Sequence, residues 1–291
     1  MREGKYTAFI DILGISNLTE SHYDSAKEKI QQLHDLFFTI TQNHKDKIIQ
    51  SIAFSDSIIL IFQTQQDAIE ICTELYTEAF NINFQLNPYR IDIKDRYILL
   101  RGAISFGEIF IKNFEGKANE IFISGNSLVR SVKNEPLLKG SRLLLIDNNC
   151  ELDYSELIKN EPNYNIYEIF WTNYNKDDRP LENIKLVKSM YEKYFNSPES
   201  VLKHYSDTLY MFLKSYYLKY NNTKKEIFKE VLIEIFKWSF IKDNECLQNL
   251  VNQALLYVSL DKELCTKEVM DYQEYITIIM KETEINLGGN K

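Results

Sequence analysis

An apolar segment near the start of the chain carries a carboxylate in its middle. Residues 6–16 are almost all hydrophobic or small, yet Asp11 lies among them. In a strand, alternate residues share a face, so Phe9 and Asp11 would lie on one side and Ile10 on the other. A buried charge without a partner is unfavourable by several kcal/mol. The chain must therefore supply Asp11 with a partner, and this requirement restricts the fold more than any other feature does.

A second apolar segment repeats the same pattern. Residues 48–62 predict a β-hairpin with strands over 48–54 and 57–62, and Asp56 lies at its tip. Two single aspartates in two apolar segments suggest a shared cation. The alternative is that each is a surface or turn residue, because Ser-Asp-Ser around Asp56 also suits a turn.

The order of elements predicts an α+β fold. Helices are expected over residues 22–44, from Thr64 onward and from Gly125 to Lys133, and strands over 97–106, 108–111, 121–123, 142–146 and 164–171. This order is typical of a ferredoxin-like βαββαβ sheet with helices on one face. In such a sheet the first strand lies beside the hairpin, so Asp11 and Asp56 would meet. After a polar linker only helical periodicity remains, which predicts an α+β domain over residues 1–178 and a helical C-terminal region over 179–291. The helical stripes expected in the second region are Leu209, Phe212, Leu213 and Tyr216; Ile227, Val231, Ile235 and Trp238; Leu250, Ala254 and Tyr257; and Tyr272, Tyr275 and Ile279.

Charge and composition exclude several classes of protein. The net charge of −8 and pI near 5.2 disfavour a nucleic-acid binder, although they allow a local basic pocket for one small polyanion. The four cysteines form no Cys-x-x-Cys or Cys/His cluster, which disfavours a structural zinc site and a disulfide framework. No signal peptide or 18-residue apolar span is apparent, so we expect a cytoplasmic protein without membrane insertion.

Paired carboxylates from neighbouring strands suit a specific chemistry. Their hard oxygens are ligands for Mg²⁺ or Mn²⁺, which also bind phosphate oxygens, and two ions about 3.5–4 Å apart can assist phosphoryl transfer. The segment that follows Asp11 turns from strand towards helix, and its backbone N–H groups could bind a triphosphate. The residues of this segment are Leu13, Gly14, Ile15 and Ser16. The alternative for them is an ordinary turn between a strand and a helix.

Four segments together resemble the class III nucleotidyl cyclases. They are residues 9–16, 54–57, 100–107 and 124–128, which match the family's two metal-binding segments, its Arg-Gly strand and the start of its late active-site helix. The resemblance implies a homodimer with active sites at the subunit interface. It implies conversion of a nucleoside triphosphate to a 3′,5′-cyclic monophosphate and pyrophosphate. Two Mg²⁺ or Mn²⁺ ions would be held by Asp11, Asp56 and the Ile12 carbonyl, and Arg130 or Lys133 of the partner would offset the developing charge.

Departures from the family pattern bear on the substrate. Ile52 and Phe122 stand where adenylate and guanylate cyclases have purine-reading polar groups, and Val129 and Lys133 stand where an Asn and an Arg are usual. These departures favour the bacterial Pycsar pyrimidine cyclases, which implies UTP or CTP as substrate. The cyclic product would act on a cognate effector in antiphage defence.

Two further residues of that branch have counterparts here. An aromatic near the second aspartate and the Arg of the Arg-Gly strand are implied to contribute to base binding, and Phe54 and Arg101 occupy these places. Core packing is the alternative for Phe54, and a salt bridge to a glutamate is the alternative for Arg101. Arg130 or Lys133 could equally lie on the solvent face of its helix.

Two other functions remain open from the sequence. One is a degenerate cyclase kept as a nucleotide-binding or dimerisation module, because Val129 replaces an Asn expected to act in the transition state. The other is a palm-domain oligonucleotide synthase, although the hairpin tip carries only one acidic residue.

Overall fold

A mixed sheet of seven strands organises the first part of the chain in the computed structural model, which describes residues 4–85, 97–114, 120–174, 179–194, 197–220, 223–238 and 245–264. The strands within these ranges are β1 (Lys5–Ile12), β2 (Ile48–Phe54), β3 (Ser57–Phe62), β4 (Leu100–Gly107), β5 (Ile109–Phe114), β6 (Glu120–Gly125), β7 (Leu143–Asp147), β8 (Ser155–Glu161) and β9 (Tyr164–Ile169). The sheet order is β2-β3-β1-β4-β7-β9-β8, and β5 pairs with β6 separately. Only the β4–β7 pair among these is parallel.

Along the chain, helices interrupt and follow the strands of this sheet. Those of the described residues are α1 (Ile15–Ser21), α2 (Tyr23–Asn43), α3 (Gln65–Ile82), α4 (Asn126–Asn134), α5 (Pro180–Lys193), α6 (Glu199–Tyr220), α7 (Lys225–Trp238) and α8 (Glu245–Leu260). The chain divides into two compact units, Met1–Asp177 and Asp178–Lys291. The predicted α+β class, a mixed sheet followed by C-terminal helices, is therefore confirmed.

β1 lies between β3 and β4, antiparallel to both. Its alternation is the predicted one: Ala8, Ile10 and Ile12 are at most 1% exposed, whereas Phe9 and Asp11 on the other face are half-buried. Burying the first set removes apolar area from water, which is the main favourable contribution to folding. The second face is the one on which a functional carboxylate stays accessible.

Helices cover both faces of the sheet, so the prediction of helices on one face was wrong. On the Ile10 face, Tyr76 of α3 lies against Gly102. On the opposite face, Ser127 of α4 is hydrogen bonded to the Thr7 hydroxyl at 2.8 Å, and Ser131 donates to the Thr7 carbonyl at 2.7 Å. The small polar side chains of α4 allow this close approach to the sheet. The prediction relied on apolar helix faces, which do not reveal a helix that packs through serines.

Gly102 leaves no room for a side chain where β4 passes β1 and α3. A Cβ atom there would lie 2.6 Å from the Phe9 carbonyl oxygen and 3.0 Å from the Tyr76 hydroxyl. Because backbone cannot yield as a flexible side chain does, we expect Gly102→Ala to lower the free energy of unfolding by about 1–3 kcal/mol. Urea unfolding measures this loss, and an unchanged midpoint would contradict the close approach.

Two elements were missed by sequence analysis. Strand β8 carries Lys159, Asn160 and Glu161 and lies at the edge of the sheet, where polar residues meet water and the apolar pattern of a strand is weak. Helix α1 has seven residues and no side-chain cap at its start. An element this short gives too few turns for a helical period to show.

The second unit is helical over its described residues, as its periodicity predicts. The predicted stripe Leu209, Phe212, Leu213 and Tyr216 of α6 is fully buried. The corresponding stripes of α7 and α8 are also mostly buried, while the predicted stripe of residues 272–279 lies outside the described residues. No described helix combines the length and apolarity that crossing a membrane requires.

Candidate active site

Asp11 and Asp56 meet where β1 ends beside the β2–β3 hairpin. Asp11 is opposite Ser57 in the register of β1 and β3, and Asp56 immediately precedes Ser57. The Ile12 amide donates to the Asp56 carbonyl at 3.2 Å, which joins the end of β1 to the hairpin tip. The fold thus brings together the two carboxylates that the sequence singled out.

The environment of Asp11 disfavours its negative charge. Burial, followed by the charge of Asp56, raises the pKa of Asp11 to about 7, with a smaller increase from Glu135. Opposing these effects, the Ser57 hydroxyl donates to Asp11 Oδ1 at 3.1 Å, and Arg101 contributes a weaker attraction. A bound cation would reverse this balance, because it favours the ionised carboxylate.

The donor set at this edge fits a divalent cation that also contacts a ligand. Asp11, Asp56 and the nearby main-chain carbonyls offer the hard oxygens that Mg²⁺ and Mn²⁺ prefer. The described part of the chain contains no group of three or more His, Cys, Asp or Glu that would hold a metal. An ion at Asp11 and Asp56 would therefore complete its shell with main-chain, water or phosphate oxygens, as Mg²⁺ commonly does.

A strained turn presents Asp56. Ser55, the residue before it, has φ of +51°, in the left-handed region that non-glycine residues rarely adopt. The Ser55 carbonyl is hydrogen bonded to His34 Nε2 of α2 at 2.9 Å. This bond restrains the turn from outside the hairpin. Sequence analysis missed His34 and Ser57; strand register could have indicated Ser57, whereas no local pattern points to His34.

The segment predicted to bind phosphate keeps only part of its backbone available. The Leu13 amide donates to the Leu99 carbonyl at 2.9 Å, so its N–H does not serve a phosphate in this conformation. Gly14 has φ of +76° and precedes α1, with no atom within 4 Å of the position of a Cβ. Ser16 is exposed and Ile15 is buried. The open space around Gly14 is the part of this segment that a phosphate can approach.

The four residues predicted to bind the base do not lie on one element. Ile52 and Phe54 lie on β2 at the edge of the large sheet, and Phe122 lies on β6 of the separate strand pair. Phe54 is 47% exposed and Phe122 is 50% exposed, so plain core packing explains neither. Phe122 instead contacts Phe110, with ring centroids 6.2 Å apart.

Arg101 lies on β4 directly opposite Asp11, yet its ion-pair partner is Glu135. Glu135 begins the 3₁₀ turn Glu135–Leu137 after α4, and its side chain is 8% exposed against 13% for Arg101. The alternative of a salt bridge to a glutamate is therefore realised. The sequence alone does not identify this glutamate, because its position depends on how α4 packs.

The two basic residues predicted to act in catalysis differ in their surroundings. Arg130 Nη1 donates to the Phe106 carbonyl at 3.3 Å, and its guanidinium lies 4.9 Å from the centre of the Tyr164 ring. Lys133 is exposed in the last turn of α4, and neighbouring Val129 is 64% exposed. Lys133 is thus the one of the two that extends freely towards solvent.

No protein-family model and no curated protein matches the sequence. Among solved structures, the chain is similar to the adenylyl cyclase CyaB from P. aeruginosa, at 16% identity and a TM-score of 0.45, over 58% of this chain and 94% of that one. It is also similar to adenylate cyclases from Trypanosoma brucei in their monomeric state, at 13% identity and a TM-score of 0.42, over 61% and 92%. A third is the dimeric guanylyl cyclase domain of the RhoGC fusion protein from Blastocladiella emersonii, at 9% identity and a TM-score of 0.46, over 57% and 96%. At these values the likeness is distant.

Proposed function

We propose that this chain is a nucleotide cyclase, which converts a nucleoside triphosphate to its 3′,5′-cyclic monophosphate and pyrophosphate. The proposal rests on the pair Asp11 and Asp56 at one end of the sheet. Burial and the charge of Asp56 disfavour the ionised form of Asp11, and a bound cation would favour it. In the reaction the 3′-oxygen forms a bond to the α-phosphorus and the bond from that phosphorus to the bridging oxygen breaks, which releases pyrophosphate. The proton of the 3′-hydroxyl passes to water or to the leaving pyrophosphate.

The residues of this edge have distinct parts in that reaction. Asp11, Asp56 and the Ile12 carbonyl would hold two Mg²⁺ or Mn²⁺ ions, which when bound lower the pKa of a coordinated hydroxyl and offset phosphate charge. The backbone from Gly14 to Ser16 would contact the leaving pyrophosphate. Lys133, with its free side chain, suits the offset of charge in a partner's site better than Arg130, which is engaged within its own chain.

The substrate is proposed to be a pyrimidine triphosphate, UTP or CTP. Ile52 and Phe122 offer no hydrogen bond to a purine, and a site without such groups cannot select one by polar contacts. The half-exposed ring of Phe54 beside the hairpin tip suits stacking on a base. Arg101 would contribute to base binding only after its ion pair with Glu135 is broken, so its part in base binding is secondary to that of Phe54.

A homodimer is proposed from an exposed apolar surface. The surface consists of Phe110, Ile121 and Phe122 on β5 and β6, with Val129 and Val132 on neighbouring α4, each between 41% and 64% exposed. A patch of this kind is favourable to cover, and a second copy of the chain would cover it symmetrically. This surface includes or adjoins residues proposed for the base and for catalysis, so two active sites would form at the interface.

The remaining assignments rest on the resemblance of the four sequence segments. They are a ferredoxin-like βαββαβ core, which the order β4-β1-β3-β2 of antiparallel strands supports, and the Pycsar branch with a role in antiphage defence. In that role the cyclic product acts on a cognate effector. The unit over residues 1–177 would be catalytic and the helical unit an appendage.

One observation favours a degenerate nucleotide-binding module as the second candidate. Val129 points an apolar side chain into solvent where the cyclases have a transition-state Asn. Of the cationic side chains in the described residues of α4, Lys133 is the one that extends freely towards solvent. Any catalysis would therefore depend on Lys133 without the help of an Asn at position 129.

Incubation with each of the four ribonucleoside triphosphates and Mn²⁺ tests these functions. We expect pyrophosphate and a cyclic monophosphate, identified by mass, from UTP or CTP and far less from ATP and GTP. Asp56→Ala is the matched control, because it removes one carboxylate at an exposed turn, and it should release no pyrophosphate. Stabilisation by a triphosphate without any product would instead indicate the binding module, and a linear oligonucleotide would indicate the palm-domain synthase.

A further inference from the structure

Asp11 and Arg101 form a cross-strand pair that is not an ion pair. They are directly opposite in the antiparallel register of β1 and β4, so their side chains leave the same face of the sheet. Cβ atoms of such neighbours lie about 4.5–5.5 Å apart, and opposite charges in these positions attract. A guanidinium beside a carboxylate prefers a two-pronged hydrogen-bonded contact. The expected partner of Arg101 is therefore Asp11.

The side chain of Arg101 turns to Glu135 instead. Its Nε donates to Glu135 Oε1, in an ion pair that is nearly buried on both sides. Asp11 Oδ1 accepts from the Ser57 hydroxyl, which is a neutral and weaker partner. Glu135 reaches the sheet because α4 packs on β1 and β4 and the 3₁₀ turn follows it directly.

We propose that Glu135 is a positioning residue, which holds the Arg101 guanidinium away from Asp11 and so keeps that carboxylate open to a divalent cation. The inference rests on the proposed function, because it takes Asp11 as a cation ligand. A guanidinium bound to Asp11 would occupy the oxygens that a cation needs and place a positive charge beside it. Glu135 prevents this by accepting the Nε–H of Arg101, in an ion pair whose two side chains are both nearly buried.

Binding of Mn²⁺ alone tests the inference without any need for turnover. The loss of the free-ion signal in electron paramagnetic resonance gives the Kd of the full-length chain and of Glu135→Gln. We expect the Kd to rise tenfold or more in Glu135→Gln and to return within threefold of the native value in Arg101→Gln/Glu135→Gln. A crystal structure of the metal-free Glu135→Gln protein should show an Arg101 nitrogen hydrogen bonded to Asp11.

A matched variant separates position from charge. Glu135→Asp keeps the negative charge but shortens the side chain by one methylene, so its Kd should rise at least threefold if reach matters. An unchanged Kd in Glu135→Asp, or an Arg101 that stays away from Asp11 in Glu135→Gln, would overturn the inference. Should Glu135→Gln fail to fold, Glu135→Asp decides by the same criterion. Failure of the native chain to bind Mn²⁺ would instead overturn the proposed function.

Discussion

Asp11→Asn is expected to abolish metal-dependent turnover and, at the same time, to stabilise the metal-free protein above pH 7. Turnover should fall by about 10³-fold or more, because the ions that would offset the developing charge lose one of their carboxylate ligands. Stability should rise because burial and the charge of Asp56 oppose ionisation of Asp11 in the folded chain. A neutral amide of the same shape removes that unfavourable charge and can still accept from Ser57.

The pH dependence follows from the direction of the shift. The pKa of Asp11 is about 7 in the folded chain, against an ordinary value of 3.8, so the folded state binds more protons between these values. The free energy of unfolding therefore falls as pH rises through this window, and the loss is complete above about pH 7. After allowance for partial solvent screening, we expect Asp11→Asn to recover on the order of 1–2 kcal/mol at pH 8.

Thermal melts of both proteins from pH 5 to pH 8, with and without Mn²⁺, measure these effects together. Mn²⁺ should raise the Tm of the native chain, and increasingly so as pH rises, but leave Asp11→Asn unchanged. Asp147→Asn is the matched control: Asp147 accepts from Tyr6, Gln65 and its neighbouring amide, so its loss should destabilise the chain. Turnover by Asp11→Asn, or a Tm below that of the native chain at pH 8, would contradict the assignment.

The meeting of Asp11 and Asp56 could be predicted from the sequence because it depends on strand pairing alone. Alternation fixes the face of Asp11, and a two-residue turn fixes the register of the hairpin beside it. Both are local patterns. The same holds for the helical unit, where the buried stripe of α6 follows directly from its period.

The partner of Arg101 could not be predicted in this way. Glu135 belongs to a turn after α4, and it reaches β4 only because Ser127 and Ser131 let that helix approach Thr7. Such contacts depend on packing between distant elements, which a single sequence does not display. The base pocket could not be predicted for the same reason. Phe122 lies in a separate strand pair, and no local sequence pattern determines where that pair lies relative to β2.

Glu168→Gln is expected to lower the stability of the sheet unit more than any other single change to a polar residue considered above. Glu168 on β9 is fully buried, and both its oxygens accept from Arg142, which is 6% exposed. Glutamine keeps the size of the side chain but removes the negative charge that Arg142 contacts through two nitrogens, and breaking one side of a buried ion pair costs about 3–5 kcal/mol.

This loss would be a large share of the net stability of a domain, which is typically about 5–15 kcal/mol. Arg142 cannot move to water easily, because its carbonyl accepts from the Gly102 amide and the Tyr76 hydroxyl, both at 3.0 Å. Urea unfolding measures the loss of stability. Hydrogen exchange of peptides from β7 and β9 then shows whether that loss occurs in the sheet unit itself. Glu161→Gln is the matched control, since it breaks the exposed ion pair with Lys159 and should leave the urea midpoint nearly unchanged.

Replacement of both partners distinguishes the loss of a buried ion pair from the loss of packing. Arg142→Met/Glu168→Leu removes both charges and fills much of the same volume, so it should recover most of the stability that Glu168→Gln loses. The buried pair is not itself a large source of stability, because removing two charges from water offsets most of their attraction. Each of the two buried charges is instead stabilised by the other. The loss of stability in Glu168→Gln measures the effect of removing only one of them. A double variant no more stable than Glu168→Gln would show that the shape of these side chains, and not their charge, holds β7 against β9.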